Sequence, residues 1–139
     1  MRSPQVRRRS RVQALVEFAL VIPLLIAIML GIIDMGRAIS AYGTVSEAAR
    51  TAARVAIVDQ NVTAIQTAVT GDPRIAWLGL TAANVPAPNY SCTAPYSLGC
   101  VVTTTVTYQF QPLTPLITAV LGPITLSSTS SLPIERVYP

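Results

Sequence analysis

Hydrophobic positions along the chain fall into three regimes. From Val12 to Ile33, VQALVEFALVIPLLIAIMLGII, nearly every position is apolar and the only acid is Glu17. At ~1.5 Å per residue this run makes a helix of roughly 33 Å, enough to cross the hydrocarbon core of a bilayer. Residues 34–58 follow a helical period instead. Ile39, Tyr42, Val45, Ala49, Ala52 and Ala56 recur every three or four positions, and Glu47 and Arg50 stand three apart on another face. The membrane run and this stretch therefore read as one long helix over 12–58. Residues 101–110, VVTTTVTYQF, alternate: Val102, Thr104, Val106, Tyr108 and Phe110 point one way, Thr103, Thr105, Thr107 and Gln109 the other. That is a strand with one buried and one wet face, as in an antiparallel sheet.

Shorter signals fill the gaps. Asn61 caps a helix over 62–70 that Gly71 ends, and Asp72-Pro73 turns the chain. Trp77, the single tryptophan, stands beside Ile75 and Leu78 and reads as core packing under the sheet, with ligand stacking as the alternative. Residues 81–99 are rich in Pro, Asn and Gly and read as loop. Thr114-Pro115 is an N-cap and first helical residue for a short helix to Leu121, stopped by Gly122-Pro123. Residues 124–132 resume the period of two, with Ile124 and Leu126 inward. The fold class is α+β: a long N-terminal transmembrane helix continuing into an exported domain with a small, mainly antiparallel sheet. The expected divisions are an Arg-rich, disordered tail over 1–11, the span over 12–33 and the exported domain over 34–139.

Charge settles the expected orientation. Residues 1–11 hold five arginines (Arg2, Arg7, Arg8, Arg9 and Arg11) and no acid, whereas the remainder holds five arginines against six acids. The basic character is a local tail, which keeps the N-terminus cytoplasmic and sends the C-terminal part across the membrane. It is not a basic face spread over a domain, so nucleic acid is not an expected partner. A cleaved secretory signal also begins with arginines. This run is longer than a signal core, however, and lacks a small-x-small site before Asp34, so a retained anchor is expected.

The chain has no histidine, the commonest general base and metal ligand. It has no Gly-rich phosphate loop and no paired acids at catalytic spacing, so neither an enzyme nor a cofactor is expected. Cys92 and Cys100, its only cysteines, read in an exported domain as a disulfide closing SCTAPYSLGC; a metal site would need further ligands.

Glu17 lies well inside the apolar run, where an ionised carboxylate costs ~2.5–3.5 kcal/mol on insertion scales. Either it has a function, or the span starts near Phe18 and Glu17 pairs with Arg11 at headgroup level. Pro23 removes the hydrogen bond to the Ala19 carbonyl and is expected to loosen the helix, unless it is one of the prolines membrane helices tolerate.

The segment VQALVEFALVIPLLIAIMLGIIDMGRA, followed by SEAARTAARVA, resembles the TadE-like minor pilins of tight-adherence type IV pilus systems. The likeness is strong over residues 13–56 and loose beyond. It implies a single-pass subunit of the cytoplasmic (inner) membrane with a pilin-like exported domain, which packs with other pilin or pseudopilin subunits and the inner-membrane assembly platform. It implies further that a prepilin peptidase cuts between Val12 and Gln13, leaving Glu17 as the fifth residue. Glu17 then pairs with a neighbour's N-terminal amine to set register, and Pro23 gives the helix a weak point for leaving the membrane. The family pattern wants Gly where this chain has Val12, and without cleavage the arginine tail stays as a permanent cytoplasmic anchor. The alternative is a non-cleaved, membrane-anchored binding or assembly-factor domain that does not polymerise.

Overall fold

The computed structural model describes residues 4–94 and 96–135, with side chains from Val12 on except those of Leu116, Val120 and Leu121. One helix, α1 (Pro4–Ala56), dominates it. After it come α2 (Val62–Thr70), the single turn α3 (Pro73–Ala76), a 3-10 turn over Ala82–Asn84, β1 (Asn89–Tyr90), β2 (Val101–Phe110), α4 (Pro115–Leu121) and β3 (Ile124–Pro133). The three strands form one antiparallel sheet in the order β1-β2-β3. β2 and β3 pair along their whole length, from Val101 opposite Pro133 to Phe110 opposite Ile124.

Residues 4–11 are helical rather than disordered. Pro4 stands at the start of α1, where its missing N–H costs nothing, and arginine and glutamine are good helix formers. The side chains of Arg7, Arg8, Arg9 and Arg11 lie outside the described residues. α1 passes through Pro23 without a break in helical assignment and ends at Ala56, where the Val58 and Asp59 amides both turn back to the Val55 carbonyl.

From Val12 to Ile33 no residue of α1 is buried. Beyond Asp34 the helix lies along the sheet, and here the expected stripe is buried in part. Ile39 is 66% exposed and Tyr42 half-exposed, while Ala41, Val45, Ala48, Ala49, Ala52, Ala53 and Ala56 are buried. Val45, Ala49, Ala52 and Ala56 of the expected stripe are buried, but its two largest members, Ile39 and Tyr42, fall outside the contact, which small side chains line. Alanines let β2 come close enough for the buried Thr104 Oγ1 to donate to the Ala49 carbonyl (3.0 Å). Val102, Val106 and Phe110 of β2 close over the same face, joined by Ile65 and Val69 of α2, Ile75 and Val85. At the far end, the Glu135 amide donates to the Ile57 carbonyl (3.2 Å).

The outer face of the sheet is a ladder of small polar side chains. Thr103 meets Ser131, Thr105 meets Thr129, and Gln109 meets Thr125, each at 2.9–3.0 Å. Such cross-strand pairs fix register on the wet side of a sheet. Asn61 caps α2 by accepting from the Thr63 amide. Asp72-Pro73 does more than turn the chain: Asp72 accepts from the Arg74 amide and caps α3. Within 81–99, read as loop, the 3-10 turn and β1 appear, both too short to leave a periodic signal. Cys92 and Cys100 are joined in a disulfide. Ile124, expected inward, is 36% exposed at the end of β3, while Leu126 packs against the core.

Two substitutions test the placement of the helix face. Ala48→Leu overpacks the contact with the sheet and is expected to lower stability by about 1–3 kcal/mol. Ile39→Ala, on the exposed side, is expected to change it by less than about 0.5 kcal/mol. Denaturant unfolding of the detergent-solubilised protein reads both.

Candidate functional site

The apolar run ends at Ile33, and the next residue, Asp34, is 4% exposed. A buried carboxylate is costly unless its oxygens are satisfied. Here the partners come from eighty residues away in sequence. Oδ1 accepts from the Leu113 amide (2.9 Å) and from an Arg37 guanidinium N–H (3.1 Å). Oδ2 accepts from the Thr114 amide (2.9 Å) and the Thr114 hydroxyl (2.7 Å). Bonds to an ionised acceptor are the strong ones. The carboxylate thereby ties the end of the apolar run to the segment entering α4.

Thr114 holds the N-cap position of α4, as its place before Pro115 predicts, yet its hydroxyl does not cap that helix. It turns to Asp34 instead. Arg37, one turn along α1, pairs with Asp34 and lies over the Phe110 ring at 5.3 Å from the centroid. The Asp34 carboxyl is consequently held down to about 2, chiefly by the Thr114 hydroxyl and the Leu113 amide, with Arg37 adding to the effect.

Trp77 is not under the sheet. It is 60% exposed and, with Arg37, Phe110 and the α1 backbone at Gly36, lines an open groove of about 550 Å³ beside the end of the apolar run. Its neighbours Ile75 and Leu78 occupy the core instead. α3 is a single turn, so successive side chains diverge around it, and Ile75 and Trp77 leave on different sides. Arg74 on the same turn is clamped by Asp72 (2.7 Å) and reaches Glu47 of α1 (3.6 Å).

The residues singled out in the sequence are dispersed. Val12, Gln13, Glu17 and Pro23 are all exposed on α1, and the Val12–Gln13 bond lies inside continuous helix. Cys92 and Cys100 sit at the β1–β2 end of the sheet. None of these side chains meets the Asp34 cluster. Asp34 and Arg37 are not among the residues that the sequence singles out, because nothing local announces partners as distant as Leu113 and Thr114. The available signal was the i, i+3 pairing of an acid with an arginine directly after an apolar run.

The Asp34 bonds predict a definite pH dependence. A carboxyl held below its ordinary value near 3.8 adds stability that is fully present above that value. That stability is lost as pH falls through about 2. Asp34→Asn keeps the volume but replaces one acceptor oxygen by a donor NH2 that faces N–H groups. Its melting temperature is expected to lie below that of the unaltered protein near neutral pH, and the gap to narrow as pH drops through this window. Thermal unfolding followed by Trp77 emission checks both; Asp72, also held down by Arg74, remains in the variant and keeps a weaker slope of the same sign.

Residues 13–54 match the family model for TadE-like proteins. No curated protein and no solved structure matches the chain. The matched stretch holds the apolar run, which is long and apolar enough to cross a membrane, together with Asp34, Arg37 and most of the alanine face. Over this helical segment the chain is similar to TadE-like proteins.

Proposed function

We propose that this protein is a membrane-anchored minor pilin or pseudopilin that takes part in building a tight-adherence type IV pilus. The observation that carries the reading is the TadE-like match over 13–54, a segment whose first half is a helix with no buried residue. A helix that is apolar on nearly all sides and covered by none of the described residues needs lipid, or other helices, around it. Gly31 within it, and Gly36 and Gly43 farther along α1, have open space beside them, which favours the close approach of a second helix.

In this reading residues 12–33 span the inner membrane, the arginines at 7, 8, 9 and 11 stay cytoplasmic, and residues 34–139 form the exported domain. The partners are the bilayer, other pilin subunits and the assembly platform. A prepilin peptidase cuts at Val12–Gln13, and Glu17 pairs with the new N-terminal amine of a neighbouring subunit. A matched pair is tolerable in a low-dielectric filament core while a lone charge is not, so the pairing sets axial register. Pro23 supplies a weak point for extraction from the bilayer.

A second reading is favoured by one observation. The residue before the cut is the β-branched Val12, and the bond lies in helix rather than in the open loop that proteases prefer. An uncleaved chain keeps its arginine tail and acts as an anchored assembly factor or binding domain.

N-terminal mass analysis of the protein from host membranes and from sheared surface filaments separates the two. The pilin reading expects a chain beginning at Gln13 in the filament fraction; an intact N-terminus confined to membranes supports the second reading. Glu17→Gln is expected to cut incorporation into filaments by about tenfold or more while leaving membrane insertion unchanged. Normal piliation with that variant as the sole copy would rule out the register role.

A further inference from the structure

The groove beside Asp34 opens where the apolar run ends. Gly36 and Ser40, both on its wall, lie ~4–10 Å beyond Ile33 along α1 at ~1.5 Å per residue. A headgroup layer is ~5–8 Å thick, half the difference between the full bilayer and its hydrocarbon core. Large apolar side chains stand exposed at this level: Trp77 on the groove wall, Met35 and Ile39 on α1, and Leu113, whose amide is bonded to Asp34. Exposed apolar groups at one level around a helix leaving the bilayer form a collar continuous with the span itself.

The charges suit the same place. Asp34 is buried and both its oxygens are taken up by hydrogen bonds, so it offers no free carboxylate to the surface. Arg37 is 45% exposed, and its planar fork carries more N–H donors than the one bonded to Asp34. Glu47 lies ~15 Å farther along the helix than Arg37 and is bridged to Arg74.

We propose that the underside of the folded domain sits in the headgroup layer of the membrane its own helix crosses, with a phospholipid occupying the groove. Trp77 and Leu113 enter the interface, where an amphipathic indole is at home, and Arg37 faces the lipid phosphate. The arrangement fixes the tilt and rotation of the domain over the bilayer. It rests on residues 12–33 crossing the membrane and not on incorporation into a filament, so the two fail independently.

Trp77 is the only tryptophan, and its fluorescence in the full chain reads its surroundings directly. The protein is reconstituted into vesicles of phosphatidylcholine and phosphatidylglycerol, with insertion verified by resistance to carbonate extraction. Lipids carry a spin label either at the headgroup or deep on the acyl chain. The headgroup label is expected to quench Trp77 about twofold, and the deep label far less. Headgroup-labelled phosphatidylglycerol is expected to quench more than labelled phosphatidylcholine, because an arginine near the surface draws anionic lipid. Quenching by aqueous acrylamide with none from lipid labels would place Trp77 in water and overturn the proposal. Protection from both lipid labels and acrylamide would mean that a second copy covers the groove, and stronger quenching by the deep label would mean immersion in the core; either overturns it. Failure of the helix to insert does so as well.

Discussion

The structure turns on the bonding of one carboxylate. Asp34 is the first polar residue after the apolar run, and it is buried because two backbone amides, a hydroxyl and a guanidinium converge on it. Water satisfies an ionised carboxylate well, so burial is tolerable only when the protein replaces each lost bond. The Leu113–Thr114 segment does so with adjacent donors, and Pro115 then fixes the chain as it enters α4. The membrane end of the domain is in this way joined to the helix at a single point by charge-assisted bonds.

The other ties grade from this one along α1. In the middle, alanines bring the helix backbone within reach of Thr104; at the far end, Glu135 bonds to Ile57. These attachments hold residues 34–57 of α1 against the folded domain at both ends and in the middle. The second half of α1, from Asp34 on, and the folded domain thus have a fixed relation, and whatever holds that part of the helix also orients the domain. For a subunit that packs by its helix, that coupling transmits helix register to the surface the domain presents. For an anchored factor, it sets the height of the domain above the membrane.

The sequence disclosed those features whose causes are local. The apolar run, the Asn61 cap, the alternation of β2 and the Thr114-Pro115 helix start each depend on residues a few positions apart, and each lies where the pattern put it. The errors have physical causes of two kinds. Size misled at the start of the 39–56 stripe, where Ile39 and Tyr42 were included although only Val45, Ala49, Ala52 and Ala56 of it are buried, and again at Trp77, whose bulk suggested a core that Ile75 and Leu78 fill. Distance hid the rest: Asp34 is some eighty residues from Leu113 and Thr114, and β1 is two residues long, so no periodicity reports either. Of the residues expected to carry function, Glu17, Pro23 and Val12 lie on the exposed part of α1, away from the folded domain.

The central claim is that Asp34 holds the domain to the helix through the amides of Leu113 and Thr114. Amide hydrogen exchange of these two residues, followed by NMR on the full chain in micelles, tests it most directly. Slow exchange at both that becomes fast in the Asp34→Asn variant, with β2 amides still protected, is the predicted result. Fast exchange at Leu113 and Thr114 in the unaltered protein, or equal protection in the variant, would contradict the account.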